Sequence, residues 1–235
     1  MQIRLSQWCS VLVLLALLLS SALVSRPRVR ESGTASSSPR PTVILDAGHG
    51  GEDGGAVGVN GVREKELNLA VTECLAELLT LAGVEVILTR TDDRMLYAAD
   101  QNIPGKRKYY DLVNRLAVAE AHPDALFVSI HMNHFSEAQY SGLQVWCAED
   151  AASHALAEAV SASVKLRLQR ENARQVKEAG SSILLLSRAV GCAVLVECGF
   201  LSNPSECALL CREDYRRELS FSIFCGIMEY LSEME

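Results

Sequence analysis

Three short apolar segments, each leading to an ionisable residue, stand out in the pattern of hydrophobic and polar positions. They are residues 43–45, 125–130 and 193–196. Their content of Val, Ile and Leu predicts buried strands. The first continues through a glycine-rich loop to His49, the second leads directly to His131, and the third leads to Glu197. Because ligands bind at the carboxyl ends of the strands in an open α/β sheet, we expect these side chains to share one rim.

Helical periodicity accounts for most of the chain between these strands. Apolar residues at helical spacing predict helices over residues 63–82, 106–121, 151–168 and 215–231, with a further helix start at Asn203-Pro204. Shorter apolar runs predict strands at residues 84–89, 143–147 and 183–186. We therefore expect a single α/β domain with three αβα layers, in which a mixed, mostly parallel sheet has about six strands.

The predicted helix over residues 63–82 carries one carboxylate on its apolar face. Glu64 shares that face with Leu67 and Val71, whereas the other glutamates of the helix lie on the opposite, polar face. A buried charge requires a metal, a cation or hydrogen-bond donors. Because Glu64 also follows the glycine-rich loop closely, we expect it to have a role at the site.

Two histidines and one glutamate form a donor set that suits zinc. Zinc sites with His49, Glu64 and His131 as protein ligands would keep the fourth tetrahedral position for water. Glu197 would then be the carboxylate near the metal that accepts and returns a proton. The other histidines are expected in loops or on the surface, although His134 is near enough to His131 to be considered as a substrate contact.

Other kinds of site fit the sequence poorly. The glycines of residues 48–55 could cradle a phosphate, but the Walker lysine is missing and the spacing differs from the dinucleotide fingerprint. Cys198 is a potential nucleophile, but it follows Glu197 directly in a strand, so its side chain should point into the core. Cys207 and Cys211 have helical spacing but lack the second pair that a structural zinc site needs.

The N-terminal part of the chain differs in composition from the rest. Residues 1–24 combine a basic start with an apolar run, which is typical of an export segment, either a cleaved signal peptide or a retained membrane anchor. Residues 25–40 are rich in Ser, Pro and Arg and predict a flexible linker. The folded domain is expected to occupy residues 41–235.

Composition and charge narrow the class of protein. With 49% hydrophobic and 22% charged residues among 235, the chain is an ordinary globular protein with room for one domain. The net charge of −7 argues against a nucleic-acid partner, since surfaces that bind phosphate are usually basic. Most of the cysteines occupy apolar positions, where we expect free thiols.

Four motifs resemble those of the zinc-dependent N-acetylmuramoyl-L-alanine amidases of bacterial cell walls (amidase type 3). They are Asp46–Gly51, Arg63–Leu69, Ser129–Asn133 and Val196–Asn203. The resemblance implies that one zinc ion binds to His49, Glu64 and His131 and that Glu197 is the catalytic glutamate. Where the family usually has proline after the first aspartate, this chain has Ala47, a change expected to affect the stiffness of the loop more than the chemistry.

The resemblance also implies a reaction and a location. Members hydrolyse the amide bond between the lactyl group of N-acetylmuramic acid and the L-alanine of the peptidoglycan stem peptide. The segment Lys106-Arg107-Lys108, which leads into Asp111 and Arg115, resembles the germination-specific amidases of spore cortex, which prepare muramic acid for conversion to the δ-lactam. An exported location outside the cytoplasmic membrane and an activating lipoprotein partner are implied as well.

The sequence allows alternative interpretations of substrate binding and of the reaction itself. Lys106, Arg107 and Arg115 either bind substrate carboxylates or form a solvated helix face, and Asn133, which ends the third motif, is a further candidate for substrate binding. A zinc peptidase that cuts the stem peptide would use the same site chemistry. A wall-binding module without catalysis would have no use for Glu197 as a general base.

Overall fold

The structure, a computed structural model, describes residues 40–234. The predicted export segment over residues 1–24, and all of the predicted linker except Arg40, lie outside these residues. No helix that the structure describes is long and apolar enough to cross a membrane.

Six strands form one mixed sheet in the described part of the chain. They are β1 (Thr42–Ala47), β2 (Glu85–Leu88), β3 (Leu126–Asn133), β4 (Gln144–Cys147), β5 (Lys177–Glu178) and β6 (Ala193–Phe200). Their order across the sheet is β2-β1-β3-β6-β4-β5. All neighbouring strands are parallel except β4 and β6, which pair in antiparallel fashion. The predicted mixed, mostly parallel sheet is confirmed.

Helices cover both faces of this sheet. They are α1 (Glu64–Leu81), α2 (Arg107–Glu120), α3 (Ala151–Arg167), α4 (Leu184–Arg188), α5 (Pro204–Leu210) and α6 (Glu213–Glu233). Helices α1, α3 and α6 pack over one hydrophobic core, and α2 and α4 pack over a smaller core on the opposite face. The predicted three-layer αβα architecture is therefore confirmed.

Alternate side chains of β6 point into different layers. Val196 and Cys198 belong to the larger core beneath α1, α3 and α6, whereas Leu195 belongs to the smaller core. The inward direction predicted for Cys198 is confirmed, because this side chain is fully buried. Since side chains alternate along a strand, Glu197 shares the face of Leu195 and lies beyond the end of the smaller core.

The strands β3 and β6 are longer than the apolar pattern predicts. His131 and Glu197 do not end their strands but lie inside them, directly opposite each other in the parallel ladder. The ladder shifts register between His131 and Asn133, so the two strands diverge from regular pairing just beyond this point. This irregularity lies next to the predicted site, as is common for bulges.

One predicted strand is wrong and one real strand was not predicted. Residues 183–186 are not a strand, because α4 begins at Leu184 and packs Leu185 and Leu186 inward. An apolar run of four residues fits a strand or a short helix equally well. The missed strand β5 has only two residues, and both are exposed, so it carries no apolar pattern.

Candidate metal centre and catalytic glutamate

The loop after β1 turns His49 toward the carboxyl end of the sheet. His49 has a positive φ of 62°, a conformation that most non-glycine residues avoid. Its Nδ1 donates a hydrogen bond to Oδ2 of Asp53 at 2.9 Å. The other ring nitrogen, Nε2, lies 3.2 Å from Oε2 of Glu64. Asp53 therefore fixes the ring so that Nε2 faces the site.

Glu64, the first residue of α1, connects the two histidines. Its Oε1 lies 2.9 Å from Nδ1 of His131 and accepts the backbone N–H of Met132 at 3.1 Å. Its Oε2 accepts the backbone N–H of Ala56 at 2.8 Å. Burial raises the pKa of this carboxyl, but the hydrogen bonds and charges of His131 and His49 lower it far below its ordinary value. Glu64 is thus an ionised carboxylate that is only 4% exposed.

Gly48 leaves the space that the ring of His131 occupies. The centroids of the His49 and His131 rings are 5.0 Å apart, with an angle of 73° between the ring planes. A Cβ atom at position 48 would lie 2.2 Å from Nε2 of His131. Only glycine avoids this overlap, so the small residue of the first motif is required for the two imidazoles to approach each other.

The three predicted ligands form a site that fits a divalent metal. Donor atoms of His49, Glu64 and His131 all lie within 4.8 Å of one another. Two imidazole nitrogens and one carboxylate oxygen match the ligands of catalytic zinc sites. The bond from His49 to Asp53 orients the imidazole, as carboxylates commonly do for histidine ligands. Burial lowers the pKa of His49, but its hydrogen bonds to Asp53 and Glu64 raise it to about 9. The site therefore favours positive charge.

Glu197 approaches the same site from β6. Its Oε2 is buried and has no hydrogen-bond partner among residues 40–234. Burial and the charge of Glu64 raise the pKa of Glu197 to about 7, although the charges of His131 and His49 lower it. A carboxyl group with a pKa near neutrality is suited to accept a proton and to return it.

Comparison with known proteins places this chemistry in a family. A model of the family described as N-acetylmuramoyl-L-alanine amidase matches residues 43–229. The chain belongs to the N-acetylmuramoyl-L-alanine amidase family. It is therefore an enzyme of peptidoglycan, and the family resemblance that the four motifs carry is confirmed.

Individual relatives extend over most of the amidase. It is 34% identical over 193 residues to the germination-specific N-acetylmuramoyl-L-alanine amidase of Bacillus subtilis (strain 168), which covers 81% of this chain and 80% of that protein. The CwlD amidase of Clostridioides difficile, solved in complex with the GerS lipoprotein, is 40% identical with a TM-score of 0.78, and the match covers 83% of this chain and 100% of that one. The catalytic domain of CwlV from Bacillus (Paenibacillus) polymyxa var. colistinus is 31% identical with a TM-score of 0.68, covering 82% and 98%.

The basic cluster at the start of α2 contacts the loop of the amidase that follows His49. Arg107 pairs with Glu52, and Nζ of Lys108 lies 3.0 Å from Oδ2 of Asp53. Asp53 is the partner of His49, so this helix terminus supports the candidate metal centre indirectly. Lys106 and the predicted substrate contact Asn133 are exposed and partly exposed, respectively. Both remain candidates for substrate binding.

Arg115 was predicted to bind substrate or to lie on a solvated helix face, and neither is correct. Its side chain is only 1% exposed, and its Nε donates to Oδ2 of Asp111 at 2.8 Å. The guanidinium also pairs with Asp46 and donates to the carbonyl oxygen of His49 at 2.7 Å. Burial lowers the pKa of Arg115, but Asp46 and Asp111 together raise it above its ordinary value. A fully paired interior cation cannot reach a ligand.

Sequence reasoning missed two residues that hold the candidate metal ligands in place. Asp53 bonds to His49, and Asn68 donates from Nδ2 to the carbonyl oxygen of Gly48 at 3.0 Å and to Oε1 of Glu64 at 3.3 Å. Each lies four residues after a candidate ligand, a spacing that brings side chains together on a helix and was a usable signal for Asn68. His134 is exposed, which agrees with its interpretation as a loop residue.

Proposed function

We propose that the amidase is a zinc hydrolase that cleaves the amide between the lactyl group of N-acetylmuramic acid and the L-alanine of the stem peptide. His49, Glu64 and His131 would hold one zinc ion, and Glu197 would act as the general base and acid. The observation that carries this proposal is the convergence of three donor groups within 4.8 Å beside a glutamate whose buried Oε2 has no partner among the described residues.

In this proposal, some side chains hold the metal and one transfers the proton. Zinc, when bound, would polarise the lactyl carbonyl and make a water molecule more acidic. Asp53 keeps Nε2 of His49 directed at the site, and Glu64 offers one oxygen toward each histidine. Glu197 Oε2 takes a proton from the attacking water as the new C–O bond forms. It then gives this proton to the nitrogen of L-alanine as the C–N bond breaks.

The relatives support a role in the spore cortex. One is a germination-specific amidase, and another was solved in complex with a lipoprotein. We propose that this amidase acts on cortex peptidoglycan, where removal of the peptide allows formation of the muramic δ-lactam, and that a lipoprotein partner assists it. Purification of a tagged chain from sporulating cells should recover a lipid-modified protein in stoichiometric amount. Recovery of the amidase alone would contradict the partnership.

A location outside the cytoplasmic membrane follows from the substrate. Peptidoglycan lies there, so residues 1–24 would direct export, as a signal peptide or as an anchor, and residues 25–40 would link them to the catalytic domain at 41–235. Sequencing the N-terminus of the exported protein distinguishes the two. A mature chain that begins after residue 24 indicates cleavage, and a chain that retains Met1 indicates an anchor.

The decisive experiment combines metal analysis with product analysis. The purified full chain should contain one zinc ion and should release peptides that begin with L-alanine from peptidoglycan, leaving a free lactyl carboxylate that mass spectrometry detects. Products with a new terminus inside the stem peptide would show a peptidase instead, and zinc-independent release would contradict the proposed mechanism. His49→Ala should lose the metal, whereas His134→Ala, which changes an exposed histidine, serves as the matched control and should keep it.

A further inference from the structure

An open cleft of about 420 Å³ lies beside Glu197, along the antiparallel side of the sheet. Its lining includes Asn133, Gln144, Trp146, Arg174, Lys177 and Phe200. None of these residues is a metal ligand or a proton-transfer group in the proposed mechanism. They come from β3, β4, β5 and β6 and from the loop before β5. The cleft therefore depends on the sheet edge that the sequence failed to predict.

The cleft adjoins the part of β6 that carries Glu197. Gln144 on β4 lies directly opposite Glu197 in the antiparallel ladder, and Trp146 lies opposite Leu195. Lys177 on β5 lies opposite Trp146 in the parallel ladder of β4 and β5. A strand rises by about 3.4 Å per residue, so Lys177 is displaced along β4 by about 7 Å from the pair Gln144 and Glu197. β5 lies two strand spacings, about 10 Å, from β6. An extended chain leaving Glu197 in this direction would therefore reach Lys177 after about three to four residues.

Gln144 presents an unused acceptor at the inner end of the cleft. Its Nε2 donates to the carbonyl oxygens of Val145 at 3.1 Å and Gln175 at 2.6 Å, which fixes the orientation of the amide. Its Oε1 is buried and has no partner among the residues that the structure describes. The side chain is only 2% exposed. A buried carbonyl oxygen without a donor is costly, so it is well suited to receive an N–H group from a ligand.

Two cations at the outer part of the cleft are held by aromatic rings. The guanidinium carbon of Arg174 lies 4.4 Å from the centroid of the Phe200 ring, and Nζ of Lys177 lies 5.3 Å from that of Trp146. Within residues 40–234 neither forms an ion pair, in contrast to Lys108 on the other side of the site. Cation–π contacts position a charge without neutralising it. The two charges therefore stay available to an anionic group.

The buried acid Glu206 does not neutralise these cations. Burial raises the pKa of Glu206, and the charge of Arg174 acts in the opposite direction. However, the two oxygens of Glu206 accept the backbone N–H groups of Gly142 at 2.8 Å and Phe200 at 2.7 Å. Arg174 itself donates from Nε to the carbonyl oxygen of Ser141 at 2.8 Å. That bond holds the side chain in place and leaves the other guanidinium N–H groups for a ligand.

We propose that this cleft binds the leaving peptide through its carboxylates. An amide N–H of the peptide would donate to Gln144 Oε1, and carboxylates about three to four residues from the scissile amide would pair with Lys177 and Arg174. The occupant is an acidic peptide, because the two cations lie over the rings of Phe200 and Trp146 and have no ion-pair partner within residues 40–234. The proposal rests on the proposed function, since it assigns the peptide side of the scissile amide.

Kinetics with paired substrates tests this assignment in the full chain. Lys177→Met keeps the apolar stem on Trp146 but removes the charge. For a muramyl peptide with free carboxylates, the KM should rise by about three- to tenfold while kcat changes little, which is the size expected for a charge-assisted contact at an exposed lysine. For the same substrate with its carboxylates converted to carboxamides, the wild type and the variant should have equal KM values.

Two controls separate charge from packing and from the proposed function. Arg174→Gln should repeat the selective loss, and Lys165→Met, on α3 over the opposite face of the sheet, should not. An equal effect on both substrates, or none on either, would overturn the proposal. Calorimetry with the free stem peptide tests the cleft separately: weaker binding to Lys177→Met supports the cleft even if hydrolysis fails, while hydrolysis with unchanged peptide affinity overturns the cleft alone.

Discussion

Two clusters of buried charge lie side by side at the carboxyl end of the sheet, and they are completed in different ways. In the first, Asp46 accepts hydrogen bonds from Thr89 at 2.7 Å and Ser129 at 2.6 Å and pairs with Arg115. Arg115 also pairs with Asp111. Burial raises the pKa of Asp46, but Arg115 and the two hydroxyl groups lower it below its ordinary value.

The second cluster is the candidate metal centre, and its charges are not balanced by the protein alone. Glu64 is held between two histidines, while Glu197 keeps one buried oxygen without a partner in the described chain. Burial raises the pKa of Glu197 to about 7. A buried charge with every partner present therefore supports the fold, whereas one with a missing partner marks the place where a ligand acts.

The largest expected effect concerns the glutamate with the missing partner. Glu197→Gln should retain zinc while losing turnover by roughly two to four orders of magnitude, because the amide cannot accept the proton of the attacking water. Steady-state rates on peptidoglycan, with zinc measured in the same sample, provide the check. The matched control is Glu73→Gln on the exposed side of α1, which should have normal turnover. Normal turnover in Glu197→Gln would remove the proposed role.

Removing the cation of the first cluster should lower the stability of the fold. Arg115→Met leaves the carboxylates of Asp46 and Asp111 buried without their cation, so the free energy of unfolding should fall by about 3–5 kcal/mol. Urea denaturation measures this change. Arg217→Met, which breaks an exposed pair with Glu213, is the control and should have almost no effect. Similar stability of the two variants would mean that the first cluster is not what maintains the fold.

Glu197 should lower the stability of the metal-free protein as the pH rises. The pKa of Glu197, about 7, lies above the ordinary value of 4.5, so the folded state holds this proton more tightly than the unfolded state does. The stability contribution of the protonated group is fully present below pH 4.5 and is lost as the pH rises through about 7. In chelator-treated protein, Glu197→Gln should therefore gain stability over the wild type, by roughly 3 kcal/mol at pH 8 and little at pH 4. A pH-independent difference would contradict the raised pKa.

The smallest expected effect concerns the support of His49. Asp53→Asn should lower the zinc affinity by about 10- to 100-fold, because the amide no longer fixes the imidazole through a charged acceptor. Competition with a chromophoric chelator measures this affinity. Asp92→Asn, which alters an exposed pair with Arg94, should leave it unchanged. Equal zinc affinities for both variants would show that Asp53 does not support the centre.

The fold and the proposed centre were predictable because their signals are periodic or local. Strand ends and one helix face were sufficient to select His49, Glu64, His131 and Glu197. The interior role of Arg115 was not predictable, since its partner Asp46 is 69 residues away and charge alone suggested exposure.

The cleft beside Glu197 was missed for a related reason. The strand β5 has two exposed residues and no apolar pattern, and the contact between Lys177 and Trp146 joins separate strands. Local propensity carries no information about such a pairing. The residues of the proposed metal centre thus lie in short sequence motifs, whereas the surroundings of the centre depend on long-range contacts.

Anomalous X-ray diffraction at the zinc absorption edge, from crystals of the purified amidase, would locate the metal directly. We expect one anomalous peak enclosed by Nε2 of His49, the carboxylate of Glu64 and the imidazole of His131, with Glu197 beside it and not bound to it. A peak at another position, such as the sulfurs of Cys207 and Cys211, or a peak that Glu197 ligates in place of one of the three, would contradict this expectation.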